Sequence, residues 1–441
     1  MFQTEGRTAG AAQHCAEPNV CLLDWRSEQR NALLECSALP LPSGKERPLA
    51  LDFLDVAVGV YLADLAVPRG RNEDFVRDIE LDLAVRELDF WEAHQRDLSQ
   101  LLNRISGDNF DLRFSARAEE GDLPSAPAWP SADSVCLVSG GLDSMAGAAL
   151  LLRTGRFPRL VMHRSGNPTV AEAQDRVAAT LEEHWPDCSR LSPVRLAPSS
   201  HRTHALPFPP PDRRETTRRC RSVLFMALGA LAARGEGVEE VYLCDNAVLT
   251  AAVPVSEARI GSFTTHSTHP VALAKFNDLL EAAGWKVRLV NPFLYQAKGE
   301  IIRNCLQPVL SPQEIEQTVS CWAIGRHQRQ CGACVPCLLR RFALLSCDLP
   351  DEVYGTDVLA APHDARNTEA YRNLTDLLGW ARRLLFTPEV QIPLQYPSLL
   401  EMQEGGAQVM DVVRALRRQA TEIFEVTQRR FPEAAALMGL G

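Results

Sequence analysis

From Val135 onward, short apolar runs alternate with stretches of helical spacing, and this rhythm constrains the fold more than any other feature. Val135–Val138 precedes Asp143–Arg153, and Leu160–His163 precedes Thr169–His184. Val194–Ala197 precedes Arg219–Ala233, and Val241–Cys244 leads into a long loop. Apolar runs of this length, bounded by turn signals, read as strands buried on both faces. Strands that alternate with helices form βαβ units, and these assemble into a parallel sheet with helices on both sides. The expected fold class is therefore α/β, with a doubly wound parallel sheet.

Residues 1–116 have a different texture and read as a mixed α+β region. Leu51–Leu65 is apolar on most helical positions, which predicts a largely buried helix. Val76, Ile79, Leu81, Leu83 and Val85 contain a run of alternation that predicts a half-buried strand, and Phe110, Leu112 and Phe114 predict another. Trp91–Ile105 between them reads as helix. Residues 117–133, with Pro124, Pro127 and Pro130 and no periodicity, read as a linker. The expected domains are an N-terminal α+β domain at 1–116, a catalytic domain at 134–348 and a C-terminal helical region at 349–441. Asn367–Leu385 and Gln408–Arg430 supply the helices of the last.

Composition narrows the function. With 46% apolar and 23% charged residues, the 441-residue chain is an ordinary globular one, neither disordered nor collagen-like. A net charge of −10 argues against direct nucleic-acid binding. The longest apolar run, Val223–Ala233, falls short of the roughly 20 residues a bilayer requires, and Arg221 and Arg234 flank it. No signal peptide is legible at Met1–Cys15, so the expected setting is cytoplasmic, without a membrane partner. Thirteen cysteines in such a chain point to metal binding or buried thiols rather than a disulfide scaffold.

The sharpest local feature is Ser139-Gly140-Gly141-Leu142-Asp143-Ser144, between an apolar strand and a helix. Glycines allow a tight turn and close approach of a ligand to the backbone. The turn's N–H groups and the helix N-terminus then form an anion site. Ser139 and Ser144 add hydroxyl donors, and a bound Mg2+ would account for Asp143. An ordinary strand–turn–helix junction capped by Asp143 and Ser144 is the plain alternative. A Walker A loop is excluded, because the sole Gly-Lys pair, Gly44-Lys45, follows Leu39 where that motif needs glycine. SGGLDS instead resembles the pyrophosphate loop of ATP pyrophosphatases, which split ATP between the α and β phosphates.

A second cluster is Cys321-x9-Cys331-Gly-Ala-Cys334-Val-Pro-Cys337. Four thiolates at this spacing suit tetrahedral Zn2+ with no open position, hence a structural site. His327, inside the loop, is the alternative ligand. Gly332 permits the turn of a zinc knuckle.

Loop and knuckle together resemble the 7-cyano-7-deazaguanine synthase (QueC-like) family. Arg221-Ser-Val-Leu-Phe225 is similar to that family's Arg-Asn-x-x-Phe, with Ser222 in place of Asn. Asn291-Pro292 followed by Lys298-Gly-Glu300-Ile301, and Ser320-Cys321 through Arg340, follow the same order. The resemblance spans about residues 134–346. It departs at His163-Arg-Ser-Gly-Asn167, where the family has Tyr-Gly-Gln-Arg-His, and across Asp245–Pro270. Residues 52–114 resemble the N-terminal region of QueC-like proteins from bacterial antiphage operons, those of the Qat system and type IV CBASS.

The resemblance implies a PP-loop (HUP-like) fold with a zinc knuckle, using ATP, Mg2+ and Zn2+. It implies ATP-dependent adenylation of a 7-deazaguanine carboxylate such as 7-carboxy-7-deazaguanine. Asp143, Lys298 and Arg221 become the expected catalytic residues, and Ser139–Ser144 the ATP-binding loop. Asp245, Asn246, His266 and His269 are candidates for substrate contact. The acceptor is either an amine of an operon partner protein, docked on residues 1–116, or ammonia, ending in a nitrile. Two further readings are a nucleotide-binding scaffold without turnover and sulfur insertion into tRNA; the net charge weighs against the second. Arg218, Arg219 and Arg221 also crowd a helix start, where positive charge is unfavourable unless an anion is near.

Overall fold

The computed structural model describes residues 2–4 (backbone only), 21–28, 30–70, 75–117, 131–199, 207–255, 266–325 and 328–437. The proposed linker residues 118–130 and His327 lie outside them. Among the described residues, eleven strands run in chain order: β1 (Phe2–Thr4), β2 (Cys21–Leu23), β3 (Ala32–Glu35), β4 (Asp78–Val85), β5 (Asn109–Ala116), β6 (Ser134–Leu137), β7 (Pro158–Val161), β8 (Ser189–Arg190), β9 (Arg195–Pro198), β10 (Glu240–Tyr242) and β11 (Arg288–Val290).

The central sheet has the order β11-β10-β6-β7-β8 and is parallel throughout. Strands β6 and β7 are buried at all four positions and overlap the expected runs Val135–Val138 and Leu160–His163, though β7 starts two residues earlier and includes Arg159. Helices Leu142–Arg153, Pro168–His184 and Arg221–Glu236 are the crossovers. Winding proceeds one way from β6 to β8 and then turns back to β10 and β11. The strand order therefore reverses between β6 and β10, and a crevice opens there at the carboxyl ends of the strands.

Two assignments differ from expectation. Val194–Ala197 does not extend the parallel sheet. Only Val194 touches it, through a bridge to His163, and the edge strand is β8. Residues 195–198 pair antiparallel with β3, Leu33 opposite Ala197. Arg195 is exposed and only Leu196 is buried, which suits an edge pair rather than a doubly covered strand. The sequence pattern signals none of β1, β2, β3, β8 and β11, since runs this short show no periodicity.

The N-terminal sheet, β2-β1-β4-β5, is also parallel, so this region is wound rather than α+β. Helices Arg47–Ala66 and Gln95–Ser106 precede β4 and β5 as its crossovers. The first is buried from Ala50 to Ala66 on every face. It lies between the N-terminal sheet and helix Arg221–Glu236. One apolar core joins Leu54, Val58 and Leu62 to Leu81 and Leu112 on one side and to Leu224, Leu228 and Val241 on the other. The N-terminal region thus shares its core with the central sheet.

Helices Glu369–Phe386 and Val409–Arg430 pack on Val335–Ser346, the helix that leaves the cysteine loop. Trp380, Leu416 and Ile423 are buried there with Leu338 and Phe342. Among the described residues, every cysteine is a free thiol and no helix is long and apolar enough to cross a membrane.

Candidate active site

The Ser139–Ser144 turn leaves β6 at the crevice. Gly140 has φ +82, and a Cβ there would lie 2.9 Å from the Gln174 backbone nitrogen, so both conformation and space require glycine. Gln174 itself donates to the His163 carbonyl at 2.9 Å and braces the turn from the next helix. The Ser144 hydroxyl donates to the Gly141 carbonyl at 2.9 Å and accepts from the Ser139 N–H at 3.2 Å. Ser139 Oγ lies 3.1 Å from Ser144 Oγ and is exposed to the crevice. Gly140 and Gly141 precede the helix from Leu142, whose first turn points free N–H groups at the same spot.

Asp143 sits in that first turn and is buried. Lys298 Nζ donates to its Oδ1 at 2.5 Å, and Asn246 Nδ2 to its Oδ2 at 2.7 Å. Each partner is held in turn. Asn246 accepts from the Val248 N–H at 3.0 Å as cap of the helix after β10, which leaves its amide N–H free for Asp143. Lys298 begins the helix Lys298–Ile301. Gln419, on the C-terminal helix, accepts from the Lys298 N–H at 2.8 Å, and Glu422 from the Gly299 N–H at 3.1 Å. Two of the first orphan donors of that short helix are thereby satisfied from 121 and 123 residues away. Burial pushes the Glu422 carboxyl up to about 7.

Asp245 stands next to Asn246. Burial raises its carboxyl to about 7, with the Asp143 charge adding to the effect. Thr268 donates to it at 3.0 Å. Asn291 clamps its backbone, donating to the Asp245 carbonyl at 2.9 Å. Arg221 begins the helix after the Arg218–Cys220 bend, its guanidinium 5.7 Å from the Phe225 ring centre. The two histidines are placed differently. His269 caps helix Pro270–Ala282 and meets the Arg104 guanidinium at 2.7 Å, with the His266 ring stacked 5.5 Å away. The structure thus gathers Asp143, Asn246, Lys298 and Asp245 behind the loop. It joins His266 and His269 to the Gln95–Ser106 helix instead.

Lys298 and Asn246 each donate to one oxygen of Asp143, so any Mg2+ here would share that carboxylate with a buried cation. The cysteines differ. All four sulfurs lie within 4.8 Å of one another. Cys331 and Cys337 are 3.8 Å apart and Cys321 and Cys334 3.9 Å, close to the roughly 3.8 Å edge of a tetrahedron with 2.3 Å Zn–S bonds. Backbone N–H groups of Ala333 and Cys334 donate to Cys331 Sγ at 3.4 and 3.3 Å, which favours thiolate. Gly332 has φ +75 and would clash with the Thr356 carbonyl if it carried a Cβ. The four residues fit Zn2+, which would act as a crosslink. Helix Val335–Ser346 starts at this knuckle and packs on the C-terminal helix that holds Lys298.

The reversal of strand order and the glycine turn at its crevice define a doubly wound α/β protein with an anion-binding loop. The chain is similar to the QueC family: residues 210–348 match the family model described as "Queuosine biosynthesis protein QueC". It is 27% identical over 233 residues to a 7-cyano-7-deazaguanine synthase from Methanothrix thermoacetophila, covering 49% of this chain and 96% of that protein. It is 28% identical over 233 residues to one from Synechococcus elongatus, covering 50% and 94%.

Proposed function

We propose that the protein uses ATP to activate a 7-deazaguanine carboxylate, such as 7-carboxy-7-deazaguanine, and transfers the acyl group to an amine. The observation that carries this reading is the convergence of Lys298, Asp143 and Asn246 behind the Ser139–Ser144 loop. A carboxylate acylates poorly because its oxygen does not leave. In the proposed reaction a carboxylate oxygen attacks the α-phosphorus, the bond from that phosphorus to the bridging β-phosphate oxygen breaks, and pyrophosphate departs. The loop N–H groups and Lys298 stabilise the charge that grows there. The amine then forms the C–N bond, AMP leaves with the C–O electron pair, and the amine gives up a proton. Asp245, titrating near neutrality, is suited to take it.

The acceptor we favour is the N-terminal amine of a partner protein, in the setting of antiphage defence that the N-terminal resemblance implies. What supports this is that half of the chain matches nearly the whole of the named synthases. The remaining residues include the N-terminal helix Arg47–Ala66, which packs on helix Arg221–Glu236. A second reading is favoured by the names of those relatives: ammonia is the acceptor, and a second ATP activates the oxygen of the resulting amide so that it leaves with AMP and a nitrile forms. Mass spectrometry of products formed with the acid, ATP and either ammonium or a candidate partner tests the proposal. Asp143→Ala should abolish the product in both. An unchanged product in that variant would refute the mechanism.

A further inference from the structure

The rim carries a second cluster, on the far side of the loop from Lys298. His163 follows β7 and is 5% exposed, and its Nε2 has no hydrogen-bond partner among the described residues. Tyr61 and Phe225 meet its ring edge-on, each with centroids 5.8 Å away and planes at 86° and 87°. Tyr61 belongs to helix Arg47–Ala66, outside the matched residues 210–348. Arg221 lies against Phe225. Arg218 is held at φ 51, a left-handed conformation that strains a residue with a side chain.

The other arginines of this neighbourhood are engaged. Arg69 and Arg77 grip Asp108 at 2.5 and 2.6 Å, and Arg77 also grips Asp64 at 2.5 Å. Arg219 donates to the Ser106 carbonyl at 2.7 Å. Asp64 accepts from the Cys220 N–H at 3.0 Å, and Glu215 from the Arg69 N–H at 2.8 Å. This buried network fixes residues 215–221 to the N-terminal region. Arg218 and Arg221 remain exposed, and neither has a carboxylate partner among the described residues. They flank the start of helix Arg221–Glu236, where the macrodipole adds to their charge. Burial and these two charges push His163 down to about 3, so the imidazole is neutral at neutral pH. Burial raises the Tyr61 phenol above its ordinary pKa, and the two guanidiniums oppose that rise without cancelling it.

We propose that Tyr61, His163, Arg218 and Arg221 form the recess that takes the acid to be activated, a flat heteroaromatic ring bearing a carboxylate. The carboxylate lies between the two guanidiniums and the ring against the aromatic side chains. This deepens the proposed function and rests on it. Carboxylate-to-guanidinium bonds are strong enough to hold an acid without help from nucleotide. The ends of β6 and β7 are neighbours, so an acid held here sits beside the loop that would hold the phosphates. The N-terminal helix thereby contributes to substrate recognition.

Calorimetric titration with 7-carboxy-7-deazaguanine, and separately with ATP, tests this on the full chain. Wild-type protein should bind the acid without nucleotide and prefer it about tenfold or more over the neutral 7-cyano analogue. Arg218→Gln, at an exposed position, should erase that preference and leave ATP binding intact. Arg218→Gln combined with Arg221→Gln should abolish acid binding. If Arg218→Gln binds the acid as wild type does, or loses ATP instead, the recess is wrongly assigned and the proposed function stands. If wild type binds no acid at all, the proposed function fails and this inference with it.

Discussion

Asp143 and Lys298 lie 155 positions apart and meet at 2.5 Å, each side chain 6% exposed. One buried charge pair therefore locks the helix after β6 to the segment after β11. Removing one member of such a pair strands the other and costs about 3–5 kcal/mol. Lys298→Met should lower stability to urea by that order. The double variant Asp143→Asn, Lys298→Met should regain most of the stability and none of the activity. Equal stability of wild type and Lys298→Met would mean that the pair does not form in solution.

Gln419 and Glu422 are buried and fix the backbone of Lys298 and Gly299. Gln419→Ala should slow turnover roughly tenfold, as expected when a reacting group is displaced by a fraction of an ångström, with little change in KM for ATP. Steady-state kinetics decides it. A rise in KM with unchanged kcat would place Gln419 in ground-state binding instead.

The buried acids give the fold a pH signature. Glu422 and Asp245 are pushed up to about 7, from 4.5 and 3.8. Between those limits the folded chain holds protons that the unfolded chain releases, so their contribution is complete at low pH and lost as pH rises through 7. His163, His266 and His269 act oppositely. They are pushed down to about 3, 4 and 2, chiefly by burial, so their contribution is present above pH 6.5 and lost as pH falls. Glu422→Gln should flatten the fall in stability between pH 5 and 7 by at most about 1.4 kcal/mol per pH unit. Denaturation at several pH values reads this. An unaltered slope would contradict the burial of a protonated Glu422.

The four-cysteine knuckle starts the helix on which the C-terminal helices pack. Purified protein should hold one zinc ion per chain by elemental analysis. Cys334→Ser should release it and lower the Tm, because the metal site supplies folding free energy directly. Full zinc content in Cys334→Ser would exclude the assigned ligand set.

The parts of this site that are continuous in sequence could be read from it. SGGLDS announces a turn by its glycines, and the cysteines announce a metal by their spacing. What the sequence hides depends on contacts over long separations. Asn246 reads as a substrate contact, yet its amide serves Asp143, because only the fold brings β6 and β10 side by side. Gln419 carries no signal on a helix whose pattern reports burial alone. Val194–Ala197 has the composition of an inner strand, but its partner β3 comes from a segment 162 residues earlier, by Leu34 and Leu196 in register. The positions of Tyr61 and Arg218 follow from the Asp64–Arg77–Asp108 network, whose members are scattered charges in the sequence.

The most direct test of the central claim is the release of AMP and pyrophosphate from Mg-ATP by purified, zinc-replete protein, with and without 7-carboxy-7-deazaguanine and in the presence of amine acceptor. The account predicts equal amounts of AMP and pyrophosphate, formed only when the acid is present and absent with Asp143→Ala. ADP and phosphate as products, or AMP formed regardless of the acid, would contradict it.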